Sequence, residues 1–190
     1  GYLLHVGGNQ FYKNRKGVIE IYNAWRDRSK LKYPLILIGA IPTKPLLALK
    51  RSCSYGESIH FLSHISDKEL KLFYQGATLF LFPSLDEGFG WPIAEAMASG
   101  CPVITTGKAP MNEVGGPHSF YISKRPAISE EVEDWAANAA CLVENIATMS
   151  SAIRNDQIQK GLEYVKRFDP ERSLEHIESI YKEVHQLCQI

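Results

Sequence analysis

The sequence predicts an α/β fold of the Rossmann-like, doubly wound kind: a mostly parallel sheet with helices on both faces, followed by a helical C-terminal tail. Three observations predict it. Short apolar runs alternate with longer amphipathic segments along the 190 residues. The runs are continuously apolar rather than alternating, as in strands covered on both faces. Strand–helix alternation implies right-handed βαβ crossovers, and these place successive strands in parallel.

The strand-like runs are "YLLHVG" (Tyr2–Gly7), "PLILIG" (Pro34–Gly39), "SIHFLS" (Ser58–Ser63), "ATLFLFP" (Ala77–Pro83), "CPVITT" (Cys101–Thr106) and "HSFYIS" (His118–Ser123). Between them, Val18, Ile21, Tyr22 and Trp25 share one helical face, and Leu70, Phe73 and Tyr74 share another. Ala94, Ala96, Met97 and Ala98 form a small-residue helix able to approach a sheet closely. After Ser123 the pattern turns helical. Ser129 is the expected N-cap of a helix with acids in its first turn. Further helices are expected near Ala152–Phe168 and Glu171–Cys188, broken at "FDPERS" because Pro170 disfavours a helical Asp169. The last helix carries Ile177, Ile180, Tyr181 and Val184 on one face. Core packing is the expectation for that face, with partial packing against a further domain as the alternative. No repeat or low-complexity linker divides the chain. It reads as one domain, 1–190, with 129–190 mostly helical.

Composition narrows the function classes. Hydrophobic residues are 45% and charged residues 22%, ordinary for a globular domain. Lys+Arg and Asp+Glu are each 21, so no bulk positive charge argues for a nucleic-acid partner. Cys53, Cys101, Cys141 and Cys188 lie far apart without metal-ligand spacing, which reads as reduced thiols of a cytosolic protein. No run approaches the ~20 apolar residues of a membrane span, and no signal peptide is apparent. The chain opens on a buried-strand pattern without methionine, and is expected to be a domain of a longer polypeptide.

The chemistry concentrates in "SLDEGFGWPIAEAMASG", Ser84–Gly100, read as strand end, loop and helix. Ligands of open α/β sheets bind at the carboxyl ends of strands, where this loop lies. Gly88 and Gly90 leave the backbone accessible to a ligand. Pro92 suits the first helical turn. The amides of Gly90, Trp91 and Ile93 are expected to be free at the helix end, where they and the macrodipole attract an anion. Glu87 and Glu95 flank that point. As ionised acceptors they suit two sets of sugar hydroxyls on either side of a diphosphate. A glycosidase pair would instead need its carboxyls facing each other across one bond, roughly 5–9.5 Å apart.

"EGFGWPIAEAMASGCPVITT" resembles the signature of glycosyltransferase family 4, in the C-terminal, nucleotide-sugar-binding domain of a GT-B enzyme. "LLHVGGNQFYKNRKGVIEIYNAW", "LILIGA", "SIHFLSHISDKELKLFYQGATLFLFPS", "GKAPMNEVGG" and "VKRFDPERSLEHIESIYKEV" extend the resemblance over essentially the whole chain. The resemblance implies that Glu87 binds hydroxyls of the donor sugar and Glu95 those of the ribose. Gly88, Phe89, Gly90, Trp91 and Ile93 would meet sugar and diphosphate. Lys16, with Arg15, would neutralise the diphosphate, making Glu87 and Lys16 the catalytic pair. Leu62, Ser63 and His64 would border the nucleobase. The sequence departs from the family at "GGNQFYKNRKG", where Gly8, Asn9 and Gln10 occupy the place of an arginine aimed at the phosphates; Arg15 or Lys13 is then the replacement.

The family implied is retaining and moves a hexose from a UDP- or GDP-sugar to a saccharide or lipid-linked acceptor. It needs no cofactor and no metal, in keeping with the lack of an Asp-x-Asp motif in the binding loops. Its N-terminal, acceptor-binding domain would lie upstream, so this chain alone is expected to bind nucleotide and transfer little or no sugar. A cytoplasmic setting is implied, with room for peripheral attachment at the membrane face through that upstream domain. Competing readings are a non-catalytic nucleotide-sugar module and a related sugar-nucleotide epimerase, for which no positioned His or Asp stands out. A dehydrogenase is disfavoured because the first loop lacks G-x-G-x-x-G at a helix start.

Overall fold

The computed structural model describes residues 1–188. Its sheet comprises β1 (Leu3–Val6), β2 (Leu35–Ile38), β3 (Ile59–Leu62), β4 (Leu79–Phe82), β5 (Val103–Thr106) and β6 (Phe120–Ile122). Their order is β3-β2-β1-β4-β5-β6 and every pairing is parallel. Each strand lies inside an expected run and is shorter than it. The order reverses between β1 and β4. The two following loops leave the carboxyl ends of these strands at this reversal point, where open α/β sheets bind ligands.

Adjacent strand residues face opposite layers, which is why the runs are apolar throughout. Leu3, Leu35, Leu37, Leu79 and Leu81 join a core with α1 (Arg15–Arg26) and α6 (Val132–Ala147). Within it, Val18, Ile21, Tyr22 and Trp25 are fully buried. Leu4, Phe80, Phe82 and Val103 face the other layer, formed with α3 (Asp67–Gly76), α4 (Trp91–Ala98) and α5 (Met111–Gly115). Each fully buried large apolar side chain stabilises the fold by about 1.5–3 kcal/mol, so both layers are strongly specified. Against α4 and the turn Gly116–His118 packs α7 (Ser151–Val165).

Two expectations need correction, and one helix was not expected. Ser129 opens a short 3-10 turn, Ser129–Glu131, and its hydroxyl caps nothing; α6 begins at Val132, where Glu133 and Asp134 complement the helix dipole instead. A helix absent from the sequence reading, α2 (Lys44–Ser52), starts on a Thr-Lys-Pro step and packs Leu46 and Leu49 against the first core. The tail helix α8 (Pro170–Leu187) does not pack into the core. Residues 171–188 are all exposed, with Ile177 and Ile180 at 49% and Tyr181 at 73%. Periodicity identifies an apolar face but not what covers it. The break before α8 is as expected: Asp169 is extended, and its carboxylate accepts from the Glu171 amide.

Candidate functional site

The β1–α1 loop carries a 3-10 turn, Phe11–Lys13, that ends at Asn14 in the left-handed conformation, φ 50°. Asparagine tolerates this geometry. Asn14 then caps α1 by accepting from the Gly17 amide at 3.1 Å, and its amide group donates to the Pro83 carbonyl at 2.8 Å. The Leu85 amide donates to the Tyr12 carbonyl at 2.7 Å. The first loop is thereby stitched to the loop after β4, across the point where the sheet order reverses.

These bonds bring Lys13 onto Glu87. Lys13 Nζ lies 2.8 Å from both carboxylate oxygens, and the side chains are only 15% and 7% exposed. The ammonium also sits 5.3 Å from the centre of the Phe82 ring. Buried Ser84 Oγ is 2.6 Å from Glu87 Oε1. Together Lys13 and Ser84 hold the carboxylate at the wall of an open cleft of about 370 Å3 lined by Tyr12, Asp86, Glu87 and Gly88. Lys16 is placed elsewhere. Its side chain is 62% exposed, with the ammonium 3.8 Å from Glu20, one turn along α1, which is itself held by two bonds from Arg125.

Arg15 is buried, at 3% exposure. Its Nη1 donates to Asn9 Oδ1 at 2.6 Å and to the Ala40 carbonyl at 2.8 Å, tying the loops after β1 and β2 together. The guanidinium lies 5.1 Å from the Phe61 ring centre. Its Nε and Nη2 are buried without a hydrogen-bond partner, and burial lowers its pKa. His5 is fully buried as well; its Nδ1 donates to the Leu81 carbonyl at 2.9 Å, which leaves Nε2 unpartnered. Burial, with Arg15 and Lys13 nearby, lowers its pKa to about 3, so it is neutral.

At the start of α4, Gly90 adopts φ 101°, a conformation that favours glycine. Gly88 is different: a Cβ there would meet nothing within 4 Å, so its neighbourhood is open to a ligand. The Ile93 amide donates to the Gly90 carbonyl at 2.9 Å, which corrects the expectation that it is free. Pro92 has no N–H, so Gly90 and Trp91 are left as the helix-end amides. Phe89 packs against Trp91, at 4.6 Å, and Phe168, at 5.4 Å between ring centres.

Glu95 projects from α4 on the side of α3. It accepts from the Tyr74 hydroxyl at 3.1 Å and borders a second cleft, of about 360 Å3, with Asp67, Leu70 and Lys71. Leu62 ends β3, and Ser63 and His64 begin the loop leading into α3; Leu62 and Ser63 are half-buried and His64 is exposed. The two glutamates thus open onto different clefts with different partners, which does not suit an acid and a base acting on one bond. Sequence reading gave Lys13 only as an alternative, and did not single out His5, Ser84 or Tyr74 as site residues. A histidine inside "LLHV" and a serine ending a buried strand were the available signals. Among the described residues, no group of three or more His, Cys, Asp and Glu is placed to hold a metal.

Residues 1–156 match the family model described as "Glycosyl transferases group 1". O-antigen chain mannosyltransferase B of Escherichia coli is 34% identical over 118 residues, covering 61% of this chain and 31% of that protein. O-antigen chain mannosyltransferase RfbU of Salmonella typhimurium is 29% identical over 171 residues, 88% and 43% respectively. The chain therefore spans less than half the length of either relative. Among solved structures, the pneumococcal O-GlcNAc transferase GtfA in complex with UDP and GlcNAc superposes with a TM-score of 0.74 at 20% identity, over 96% of this chain and 35% of that one. The C-terminal domain of a glycosyl transferase group 1 family protein (LpcC) from Francisella tularensis has a TM-score of 0.66 at 23% identity, over 87% and 85%. These two likenesses establish the shared fold.

Proposed function

The chain belongs to the group 1 glycosyl transferases, and from that premise we propose that it is the C-terminal, nucleotide-sugar-binding domain of a retaining GT-B enzyme of glycosyltransferase family 4. The observation that carries the reading is that Glu87 and Glu95 open onto separate clefts, one at the loop before α4 and one between α3 and α4, with the Gly90 and Trp91 amides at the helix start between them in sequence. A diphosphate at the helix end would put a hexose beside Glu87 and a ribose beside Glu95. The nucleobase then reaches the Leu62–His64 loop.

In this reading Lys13, rather than Lys16, stabilises the diphosphate. It lies beside Glu87 at the reversal point, and a leaving diphosphate gains charge that a fixed cation offsets. Arg15 shapes the adjoining loops, and its buried charge favours an anion nearby. The donor is a UDP- or GDP-hexose and the acceptor a saccharide or lipid-linked sugar. Relatives named as mannosyltransferases make mannose the first sugar to test. An N-terminal domain supplies the acceptor site, the reaction needs no metal, and the enzyme works in the cytoplasm. No helix among the described residues is long and apolar enough to cross a membrane.

Calorimetric titration of the chain with UDP, GDP, ADP and their hexose conjugates tests this. Binding of at least one nucleotide, unchanged by EDTA, is expected, with little or no sugar transfer. A folded chain that binds none of them would sink the donor-domain reading. Robust transfer by this chain alone would remove the need for a second domain.

A further inference from the structure

Tyr74 is nearly inaccessible, at 2% exposure, and its ring meets Phe80 edge-on with centroids 5.3 Å apart. Its hydroxyl reaches out of the core to donate to Glu95 Oε2 at 3.1 Å. Glu95 itself is exposed. An exposed glutamate ordinarily samples several rotamers. Here a rigid donor at the end of α3 holds one carboxylate oxygen of α4, and the other oxygen is left to accept from the cleft, which Tyr74 itself lines with Asp67, Leu70, Lys71, Ala98 and Ser99. Burial, and then the Glu95 charge and hydrogen bond, raises the phenol pKa, so it remains a donor throughout the neutral range.

We propose that Tyr74 is a positioning residue for ribose selection: it holds Glu95 oriented toward the vicinal hydroxyls of a ribonucleoside diphosphate, and the site distinguishes ribose from 2′-deoxyribose through this contact. The inference rests on the donor-domain reading and goes beyond it, because it assigns the selectivity to a tyrosine acting through Glu95. Hydrogen bonds to charged groups that need such alignment are worth about tenfold or more in affinity.

The test compares GDP and UDP with their 2′-deoxy forms by calorimetry, on wild type, Tyr74→Phe and Glu95→Asp. Wild type should prefer the ribonucleotide by about tenfold. Tyr74→Phe should bring that ratio close to one by weakening the ribonucleotide alone, with the melting temperature nearly unchanged. Glu95→Asp, at an exposed position that does not threaten folding, withdraws the carboxylate from the phenol and should lose the preference too. Equal weakening of both nucleotides by Tyr74→Phe marks a merely structural role and overturns the inference. So does a preference retained in either variant, while nucleotide binding by the wild type still stands. A wild type that binds neither nucleotide overturns the donor reading and this inference together.

Discussion

Lys13 and Glu87 each satisfy the other's charge in a largely dehydrated setting. Removing one partner of such a pair leaves the other uncompensated, which costs more than the pair contributes. Glu87→Gln is therefore expected to lower stability by about 2 kcal/mol, read as a drop in melting temperature. Pyrophosphate or a nucleoside diphosphate should restore much of it, because phosphate replaces the carboxylate as the counter-ion of Lys13. The same variant should bind the nucleotide-sugar more weakly and the free diphosphate at least as well. A Glu87→Gln protein that loses both ligands equally would contradict the roles proposed for the two residues. The Lys13 assignment also shows where residue-level reading reached its limit. "KNRKG" offers three cations in four positions, and Asn14 in a left-handed conformation decides which one turns toward the crevice. No count of spacing reveals that turn.

Among the elements, α4 and α8 contrast. The sequence reading recovered α4 because proline at the second position, glycine before it and a run of small residues all agree on one conformation. For α8 it recovered the helix and its apolar stripe but assigned the stripe to the core. Leu174, Ile177, Ile180, Tyr181, Val184 and Leu187 are all half or more exposed, or close to it, and Lys182 pairs with Glu178 on the polar side. Burial, not helicity, generates most of a helix's contribution to stability. Ending the chain after Phe168, which retains the contact with Phe89, is thus expected to shift the melting temperature by no more than ~2 °C. A loss of ten degrees in thermal denaturation would show that α8 stabilises the domain through contacts it does not make here.

At the scale of the whole molecule, the six strands were legible because both faces of the sheet are covered, and so was the parallel class. The strand order was not: apolar runs say that strands pair, while the crossovers decide with which neighbour. His5, central in β1 and neutral, makes the global stability pH-dependent. Its folded pKa is about 3 against 6.5 in the unfolded chain. Between those values the unfolded state binds more protons, so stability falls as pH drops below about 6.5, by up to about 1.4 kcal/mol per unit. Denaturant titrations of wild type and His5→Phe across pH 7 to 4 should show a shallower decline in the variant; parallel declines would rule His5 out as the cause. The two loops that meet above β1 and β4 carry a final implication. Because Lys13 and Glu87 already occupy one another, a ligand that draws one of them away must supply the other with a partner. A bare phosphate offers Lys13 a new partner but strands the carboxylate, and a free sugar does the reverse. On the proposed reading, a molecule presenting an anion and hydroxyls together leaves neither group abandoned, so a complete nucleotide-sugar is expected to bind more tightly than the free nucleotide.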